Sequence, residues 1–595
     1  MTEILSTGPA VGLRTHWCGE LRAGDIGSTV SLCGWVENRR EHGEHLAFID
    51  LRDRTGITQC VVAKAHDLRG EYVLRITGTV QARFEGATND KLDTGEIELQ
   101  DCTVEVLSTS EPAPFPIHER TEVDETIRLR HRYLDLRRAR LQKNLQVRTI
   151  VNAAIRRTFI GNGFVEVETP MLIASTPEGA RDFVVPSRLH PGSFYALPQS
   201  PQLYKQLCMV GGVDRYFQIA RCLRDEDLRA DRQFEFTQLD MECSFAGQEE
   251  VLDFVTQSVQ AAVGDILGPD HEAASGDVPR MTWEEAMERY GSDKPDTRFG
   301  MELVELTEHF AETEANVFKA PCVKGIRLED GAELTRKQID ALVDRAKLWG
   351  AKGLAWMRVV AGEREMPALE GGVAKFLSET EAVATITALD AAPGDMVFLV
   401  ADERSVARHV LGLLRVELGK PPMDEGGLQF LWVTDFPMFD DELGPDGRPQ
   451  AMHHPFTMPN AEDLEAGLIE SDPTAVRSVA YDLVCNGWEL GSGSVRIHRS
   501  DVQQRVFDAL GIDAEEAQDK FGFLLDAFRF GPPPHAGFAY GIDRLVALLA
   551  GETNIREVIA FPKTQKGADP LTDAPSELEP RILDELGLRV LPRLD

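Results

Sequence analysis

The alternation of apolar and polar positions changes character several times along the chain. Between residues 14 and 107 it has the short period of strands: VSLCGWVENRR (30–40), HLAFIDLRD (45–53), ITQCVVA (57–63), YVLRITGTVQARF (72–84) and GEIELQDCTVEVL (95–107). This predicts a small closed β-barrel, with a helical crossover near 64–71. Glu111-Pro112-Ala113-Pro114-Phe115-Pro116 reads as a linker. From about 138 the period lengthens. Leu141, Leu145, Arg148, Val151, Ala154 and Ile155 fit one long helix ending near Gly161-Asn162-Gly163. Residues 217–226 and 234–240 alternate on either side of a charged loop, which predicts a long antiparallel hairpin. Residues 297–430 are acidic α/β sequence without chemical motifs, the pattern of an inserted domain. LQFLWVTDF (428–436) returns to strand, and Ile542, Leu545, Val546 and Leu549 predict a helix beginning near Gly541.

Composition narrows the class. The 595 residues are 43% hydrophobic and 27% charged, an ordinary globular balance spread over several domains. No apolar run is long enough for a membrane span, and MTEILSTGPAVGLRTHWCGE lacks the pattern of a secretion signal. Nine cysteines without a CxxC pair suggest a reduced, cytoplasmic protein with no structural zinc. The five-stranded barrel is of the OB type. A formal charge of −35 argues against a polyanionic partner. Its distribution argues otherwise: between 128 and 157 stand Arg128, Arg130, Arg132, Arg137, Arg138, Arg140, Lys143, Arg148, Arg156 and Arg157 against the single acid Asp135. That run is expected to face RNA, a solvated basic helix being the alternative.

Three constellations carry chemistry. In the hairpin, Arg224 and Glu226 share a face of the first strand, and Phe236, Gln238 and Asp240 share a face of the second. This offers a guanidinium, an aromatic platform and carboxylates, although a salt-bridged hairpin explains the charges equally well. Asn486-Gly487 is a strong hairpin turn. It pairs Cys485 with Trp488 and Val484 with Glu489, so Asp482 and Glu489 lie diagonally on one face. Two carboxylates among apolar strands suit Mg²⁺ bridging to phosphates; a buried ion pair is the other reading. Arg496, in the alternating segment 494–498, suggests an anionic substrate. The glycine-rich approach GPPPHAGFAYGIDR (531–544) to a helix N-terminus bearing Arg544 suits nucleotide phosphate and matches neither a Walker loop nor a Rossmann fingerprint.

Taken in order, GFVEVETP (163–170), the Arg224–Glu226 hairpin and GIDR (541–544) resemble motifs 1, 2 and 3 of class II aminoacyl-tRNA synthetases. STPEGARDF (175–183), QSPQLYKQ (199–206), RDEDLRADRQ (224–233), AMHHPFT (451–457), NGWELGSGSVRIH (486–498) and AFPKT (560–564) are similar to bacterial-type aspartyl-tRNA synthetases of subclass IIb, and the similarity covers essentially the whole chain. The resemblance implies an α+β multidomain fold. It comprises an OB-fold anticodon-binding domain (1–110), a hinge (111–140), an antiparallel-sheet catalytic domain in two parts (141–296 and 431–562), an inserted α/β domain (297–430) and a C-terminal extension (563–595).

It also implies ATP-dependent ligation of L-aspartate to tRNA(Asp). Arg224 would hold the α-phosphate and the aspartate α-carboxylate, while Phe236 and Arg544 would sandwich the adenine. Asp225, Glu226, Gln233, Glu489, Gly541, Ile542 and Asp543 would complete the ATP site, with Asp482 and Glu489 on Mg²⁺. Arg224, Glu226 and Arg544 are the catalytic set. Glu178, Ser200, Gln202, Lys205, Asp240, His453 and Arg496 would bind aspartate. Ser200-Pro201 also reads independently as an N-cap followed by Pro at N1. A pocket built on Lys205 and Arg496 would leave two buried cations unpaired on admitting asparagine. Arg40, Phe48 and Gln59 would read the anticodon, with a core phenylalanine as the alternative for Phe48. His42, in Arg40-Glu41-His42-Gly43, and Gly86, in Arg83-Phe84-Glu85-Gly86, resemble relatives that also charge tRNA(Asn). Phe84 and Phe234 depart from the family pattern, each standing where proline is usual. Motif 1 implies a homodimer. The competing readings are an enzyme confined to tRNA(Asp), an asparaginyl or lysyl enzyme of the same subclass, and an inactive RNA-binding paralogue.

Overall fold

The computed structural model describes residues 8–591 other than 44–45, 64, 119–120, 176–179, 363–366, 424, 441–442 and 445–446. It divides into two compact units, one comprising Met1–Val151, Asp227–Phe234 and Asn554–Asp595, the other Asn152–Glu226 and Glu235–Thr553.

In the first unit, β1 (Thr29–His42), β2 (Leu46–Asp53), β3 (Gly56–Ala63), β4 (Val73–Ala82) and β5 (Ile97–Ser108) close a barrel in the order β1-β2-β3-β5-β4. Alternation decides its core. Leu74, Ile76 and Val80 of β4 point inward with Val30, Leu32, Ile49, Leu51, Ile97 and Leu99, while Arg75, Thr77 and Thr79 take the outer face. The helical crossover expected near 64–71 is not formed among the described residues. Leu68 N–H bonds back to Ala65 O, and Arg39 donates to the carbonyls of Ala65 and His66, so a turn capped by a guanidinium replaces the helix.

The basic run is also placed differently from expectation. Asp135 is fully buried and takes Arg128, Arg132 and Arg138; Glu557 takes a bidentate Arg128 and Arg140. Arg132 donates to the carbonyls of Arg556, Ile559 and Ala560, Asn144 to that of Glu557, and Arg148 to that of Val558. Arg137 bonds Glu71 and lies 5.0 Å over Trp35. Arg156 and Arg157, in the second unit, pair with Glu166 and Asp265. The run is therefore mainly a socket for residues 556–560 rather than an RNA-facing surface. The partners at 556–560 lie more than 400 residues away in sequence, beyond the reach of a local reading, whereas Asp135 stands inside the run.

The long helix Ala139–Gly161 passes from the first unit to the second at Val151–Asn152, and its second-unit end leads into β6 (Val165–Glu166). β7 (Val184–Pro186) and β8 (Phe194–Ala196) form a small ribbon. The central sheet comprises β6, β9 (Arg215–Leu223), β10 (Glu235–Ser244), β11 (Arg280–Thr282), β17 (Phe430–Thr434), β18 (Ala480–Cys485), β19 (Trp488–Val495) and β20 (His535–Gly541). Its order is β11-β17-β18-β19-β20-β10-β9-β6, antiparallel except at its two edges. The inserted segment builds its own antiparallel sheet from β12 (Val304–Glu305), β13 (Cys322–Leu328), β14 (Ala355–Ala361), β15 (Pro367–Glu370) and β16 (Met396–Asp402), in the order β12-β13-β16-β14-β15.

Helix Gln248–Leu267 covers one face of the central sheet, with Ser258 Oγ 3.2 Å from Tyr540 OH and Trp432 Nε1 donating to Thr256 Oγ1. Period-2 alternation therefore sends Tyr540 and Phe538 to that helix. Their strand neighbours Gly537 and Ala539 go to the opposite face.

Candidate functional site

That opposite face can be read from the register. Phe236, Gln238, Asp240 and Glu242 of β10 face Cys222, Ala220, Gln218 and Tyr216 of β9; Gln238, Asp240 and Glu242 also face Gly541, Ala539 and Gly537 of β20. On β19, Ser492 and Ser494 pair with Ala539 and Gly537, and Asp482 of β18 pairs with Ser492. The floor is thus made of Gly, Ala and Ser, with charged side chains around it. Such a surface lets a planar ligand approach the backbone.

At one end, the Arg224 guanidinium lies 5.1 Å over the Phe236 ring, with Nε 3.4 Å from Gln199 O. β9 stops at Leu223, so Glu226 sits in the loop beyond it and strand alternation no longer fixes its face. Asp225 N–H bonds Arg181 O, with Arg181 Nε 3.6 Å from the Asp225 carboxylate. Gln199 pins the neighbouring loop: its Oε1 accepts Ala180 N–H and its Nε2 donates to Ala180 O and Asp182. Glu178 lies outside the described residues. Gln233 belongs to the first unit, where it accepts the Lys563 N–H.

The turn at Asn486-Gly487 has φ of +52° and +81°, and Cys485–Trp488 and Val484–Glu489 pair as the sequence predicts. A bulge then places Asp482 opposite Ser492. Asp482 is buried and its Oδ1 has no hydrogen-bond partner among the described residues. Burial, and next the Glu489 carboxylate, push the Asp482 carboxyl well above its ordinary range. Burial pushes Glu489 up as well, but Lys294, Arg544 and His453 outweigh it, and Glu489 is held below its ordinary value. Lys294 Nζ stands 3.6 Å from Glu489 Oε2. An orphaned carboxylate oxygen beside a second carboxylate fits a hard divalent cation. Among the described residues no group of three or more His, Cys, Asp or Glu forms a protein cage, which leaves the remaining coordination to phosphate and water, as Mg²⁺ prefers.

The third motif forms as the sequence predicts. Helix Ile542–Ala550 follows Gly541, burying Ile542, Leu545, Val546 and Leu549. Arg544 donates to Glu489 O at 2.6 Å, joining the nucleotide end to the carboxylate pair. Asp543 is buried and accepts Thr237 N–H at 2.8 Å, fastening this helix to β10.

Between these lies a buried ionic quartet. Lys205 Nζ is 3.1 Å from Asp240, 3.3 Å from Glu242 and 3.3 Å from Met241 O, so its three N–H donors are occupied. Arg496 bonds Glu242 through Nε (3.0 Å) and Nη2 (3.3 Å), Ser494 through Nη1 (2.7 Å) and Gln202 at 3.4 Å. Four of its five N–H donors are engaged, leaving one on Nη1. The expectation that asparagine would leave both cations unpaired is therefore corrected, because Glu242 and Asp240 neutralise them within the protein. Asp240 Oδ1 has no hydrogen-bond partner among the described residues. Burial raises its carboxyl to about 6 against the pull of Lys205. His453 lies beside the quartet, its Nδ1 3.3 Å from Ser492 Oγ and its ring 4.6 Å from that of Phe436. Helix Gln202–Val210 starts one residue later than the N-cap reading, and Ser200 Oγ accepts Gln202 N–H at 3.2 Å just ahead of it.

Glu242 was not singled out from the sequence, although it continues the Phe236–Gln238–Asp240 alternation. Gln199 opens the QSPQLYKQ motif but was given no role of its own, and Lys294 carried no local signal.

On the barrel, Phe48 is half-buried on the outer face, paired with Arg40 and 6.2 Å edge-to-face from His42, so it is not part of the core. Arg40 makes a bidentate pair with Asp50 and donates to Gln59, which in turn donates to Glu98. Gly86 has φ of +80°, with open space where a side chain would begin.

Residues 124–565 match the family described as tRNA synthetases class II (D, K and N), and 30–107 match the OB-fold nucleic acid binding domain. The aspartate–tRNA(Asp/Asn) ligase of Saccharopolyspora erythraea is 52% identical over 98% of this chain and 96% of its own, and that of Caldanaerobacter subterraneus subsp. tengcongensis is 50% identical over 97% and 98%. A Bacillus licheniformis relative, 50% identical over 97% of this chain and 98% of its own, is named aspartate–tRNA ligase. The fold matches the asparaginyl-tRNA synthetase of Pyrococcus horikoshii complexed with asparaginyl-adenylate, with a TM-score of 0.56 at 19% identity, covering 92% of this chain and 98% of that one.

Proposed function

We propose, for a chain that belongs to the class II tRNA synthetases (D, K and N), that it is an ATP-dependent aspartate–tRNA ligase acting on tRNA(Asp) and also on tRNA(Asn). The observation that carries the amino-acid assignment is Arg496, buried on the sheet face with one guanidinium N–H left over for a carboxylate.

The aspartate α-carboxylate attacks the ATP α-phosphorus, forming aspartyl-adenylate as pyrophosphate leaves; a terminal hydroxyl of the tRNA then attacks the acyl carbon and AMP leaves. Arg224 binds the α-phosphate and α-carboxylate, and Phe236 and Arg544 hold the adenine. Glu178 and Gln202 meet the α-ammonium, with Ser200 also assigned to the aspartate site, and Asp240 joins Lys205, His453 and Arg496 in arranging the pocket of the side-chain carboxylate. Asp482 and Glu489 hold Mg²⁺, which supplies charge neutralisation on the phosphates. Positioning and neutralisation suffice, and no general base is required. Asp225, Glu226, Gln233, Gly541, Ile542 and Asp543 remain assigned to the ATP site by resemblance, as do Lys205 and His453 to the aspartate site.

Charging of tRNA(Asn) is supported by the relatives named for both tRNAs and by His42 and Gly86. Arg40, Phe48 and Gln59 on the outer barrel face serve the anticodon by stacking and edge contacts. The six-part domain division set out above remains our functional division. A homodimer is supported by β6, an edge strand whose Val165 and nearby Leu172 are 52% and 53% exposed. Nine free cysteines, and no described helix long and apolar enough to cross a membrane, go with a cytoplasmic site of action.

The test is ATP–pyrophosphate exchange with aspartate or asparagine, followed by charging of each tRNA. Exchange with aspartate alone, then charging of both tRNAs, is the expected result. Absence of exchange sinks the ligase reading; charging of tRNA(Asp) alone restricts it to the narrower enzyme.

A further inference from the structure

Lys205 and Arg496 come from different elements, a helix and the segment after β19, yet share one counter-ion. Glu242 is 0% exposed and sits between them, 3.3 Å from Lys205 Nζ and 3.0 and 3.3 Å from Arg496 Nε and Nη2. Its partner position across the sheet is Gly537. A Cβ added at Gly537 would overlap the Glu242 carboxylate and would also crowd the Met241 carbonyl oxygen, a backbone contact that is the same whichever residue stands at 242 and so cancels in a double-mutant cycle. The glycine at 537 is therefore what lets the carboxylate lie flat on the sheet and reach both cations. Residue 537 has no φ requirement of its own, since Gly537 is not among the glycines of positive φ.

We propose that Glu242 is the positioning residue of the aspartate pocket, and that Gly537 makes the room it requires. The proposal rests on the ligase reading and deepens it. Glu242 occupies one edge of the Arg496 guanidinium and thereby sets which N–H remains for the substrate carboxylate. It also holds Lys205 in place through the third of its donors, so Lys205 acts on the substrate indirectly. Burial opposes ionisation of Glu242, but Arg496 and Lys205 overcome it and hold the carboxyl below its ordinary value. Without that charge, Asp240 alone would face two buried cations.

Glu242→Gln keeps the shape and removes the charge. In aspartate-dependent exchange, run at a temperature where the variant remains folded, its aspartate KM should rise about tenfold or more, with the ATP KM little changed; loss of the shared counter-ion also lowers the melting temperature. An unchanged aspartate KM, equal rises in both KM values, or a fall in kcat alone would overturn the proposal. The close approach has its own test in a double-mutant cycle of aspartate KM. Gly537→Ala should be costly in the parent and markedly less so beside Glu242→Asp, whose shorter side chain clears the new methyl group. Additive costs would overturn the steric half. Loss of exchange in the unmutated protein would instead defeat the ligase reading itself.

Discussion

Two charged clusters in this protein are built from the same residue types and behave oppositely. Around Asp135 and Glu557, the arginines of 128–148 meet carboxylates and backbone carbonyls. Around Asp240 and Glu242, the cations are equally well held, but Asp240 Oδ1 lacks a partner and Arg496 keeps one free N–H. Asp482 Oδ1, across the same face, is also orphaned. Buried polar atoms in folded proteins are normally paired; Trp35 Nε1, Arg408 Nε and Gln503 Oε1 are also without hydrogen-bond partners among the described residues, so a vacancy points to a ligand only where, as at Asp240 and Asp482, it shares a sheet face with the other site residues. A basic run draws the eye in sequence; unfilled hydrogen-bonding capacity is the better sign of a site.

Breaking the unfilled cluster should cost the most in activity. Arg496→Leu is expected to lower aspartate-dependent exchange by about a thousandfold while leaving ATP binding, followed by equilibrium titration, largely intact. Persistent activation would show that Arg496 does not read the carboxylate. Breaking the filled cluster should instead cost stability. Glu557→Gln leaves Arg128 and Arg140 short of a counter-ion and is expected to destabilise its unit by about 3 kcal/mol, seen as an earlier thermal transition with exchange kinetics unchanged at low temperature. An unaltered melt would mean the socket contributes little.

On the barrel, Phe48→Ala should raise the KM for tRNA about tenfold, the scale of one lost base stack, without touching exchange. A smaller effect follows from Asp240, whose carboxyl is raised to about 6 by burial against the pull of Lys205, with Glu242, Arg496, Tyr216 and Cys208 nearby. Above that pH the quartet is neutral; below it, protonation leaves one net positive charge. Aspartate binding should therefore tighten as pH falls through about 6, and Asp240→Asn should flatten that dependence; a profile identical to the parent's would assign the titration elsewhere. The least effect is expected from Arg130→Ala with Lys143→Ala, two of the exposed cations of the basic run. A tRNA KM change beyond about threefold would restore an RNA-facing role to that helix.

The hairpin pairings at Asn486-Gly487, the helix after Gly541 and the five barrel strands were legible because each rests on a local rule: turn chemistry, 3.6-residue spacing or strict alternation. Glu226 was misplaced because β9 ends at Leu223, and strand ends are set by the neighbouring loop rather than by period. The 64–71 segment was misread as helix because its turn is held by Arg39, a residue from another strand. Lys294 and the role of Gln199, itself part of the QSPQLYKQ motif, went unread, since each acts on a segment brought close only by folding.

By itself the sequence determined which segments become strand or helix and which side chains could carry chemistry, because those follow from residue type and short-range spacing. The tertiary structure alone decided which charges are spent and which are available. Arg132 and Arg496 are alike in sequence, both arginines flanked by mixed residues. One is spent on carbonyls over 400 residues away, while the other keeps an N–H free beside an orphaned carboxylate oxygen. That difference depends on long-range register and burial, which no local pattern encodes.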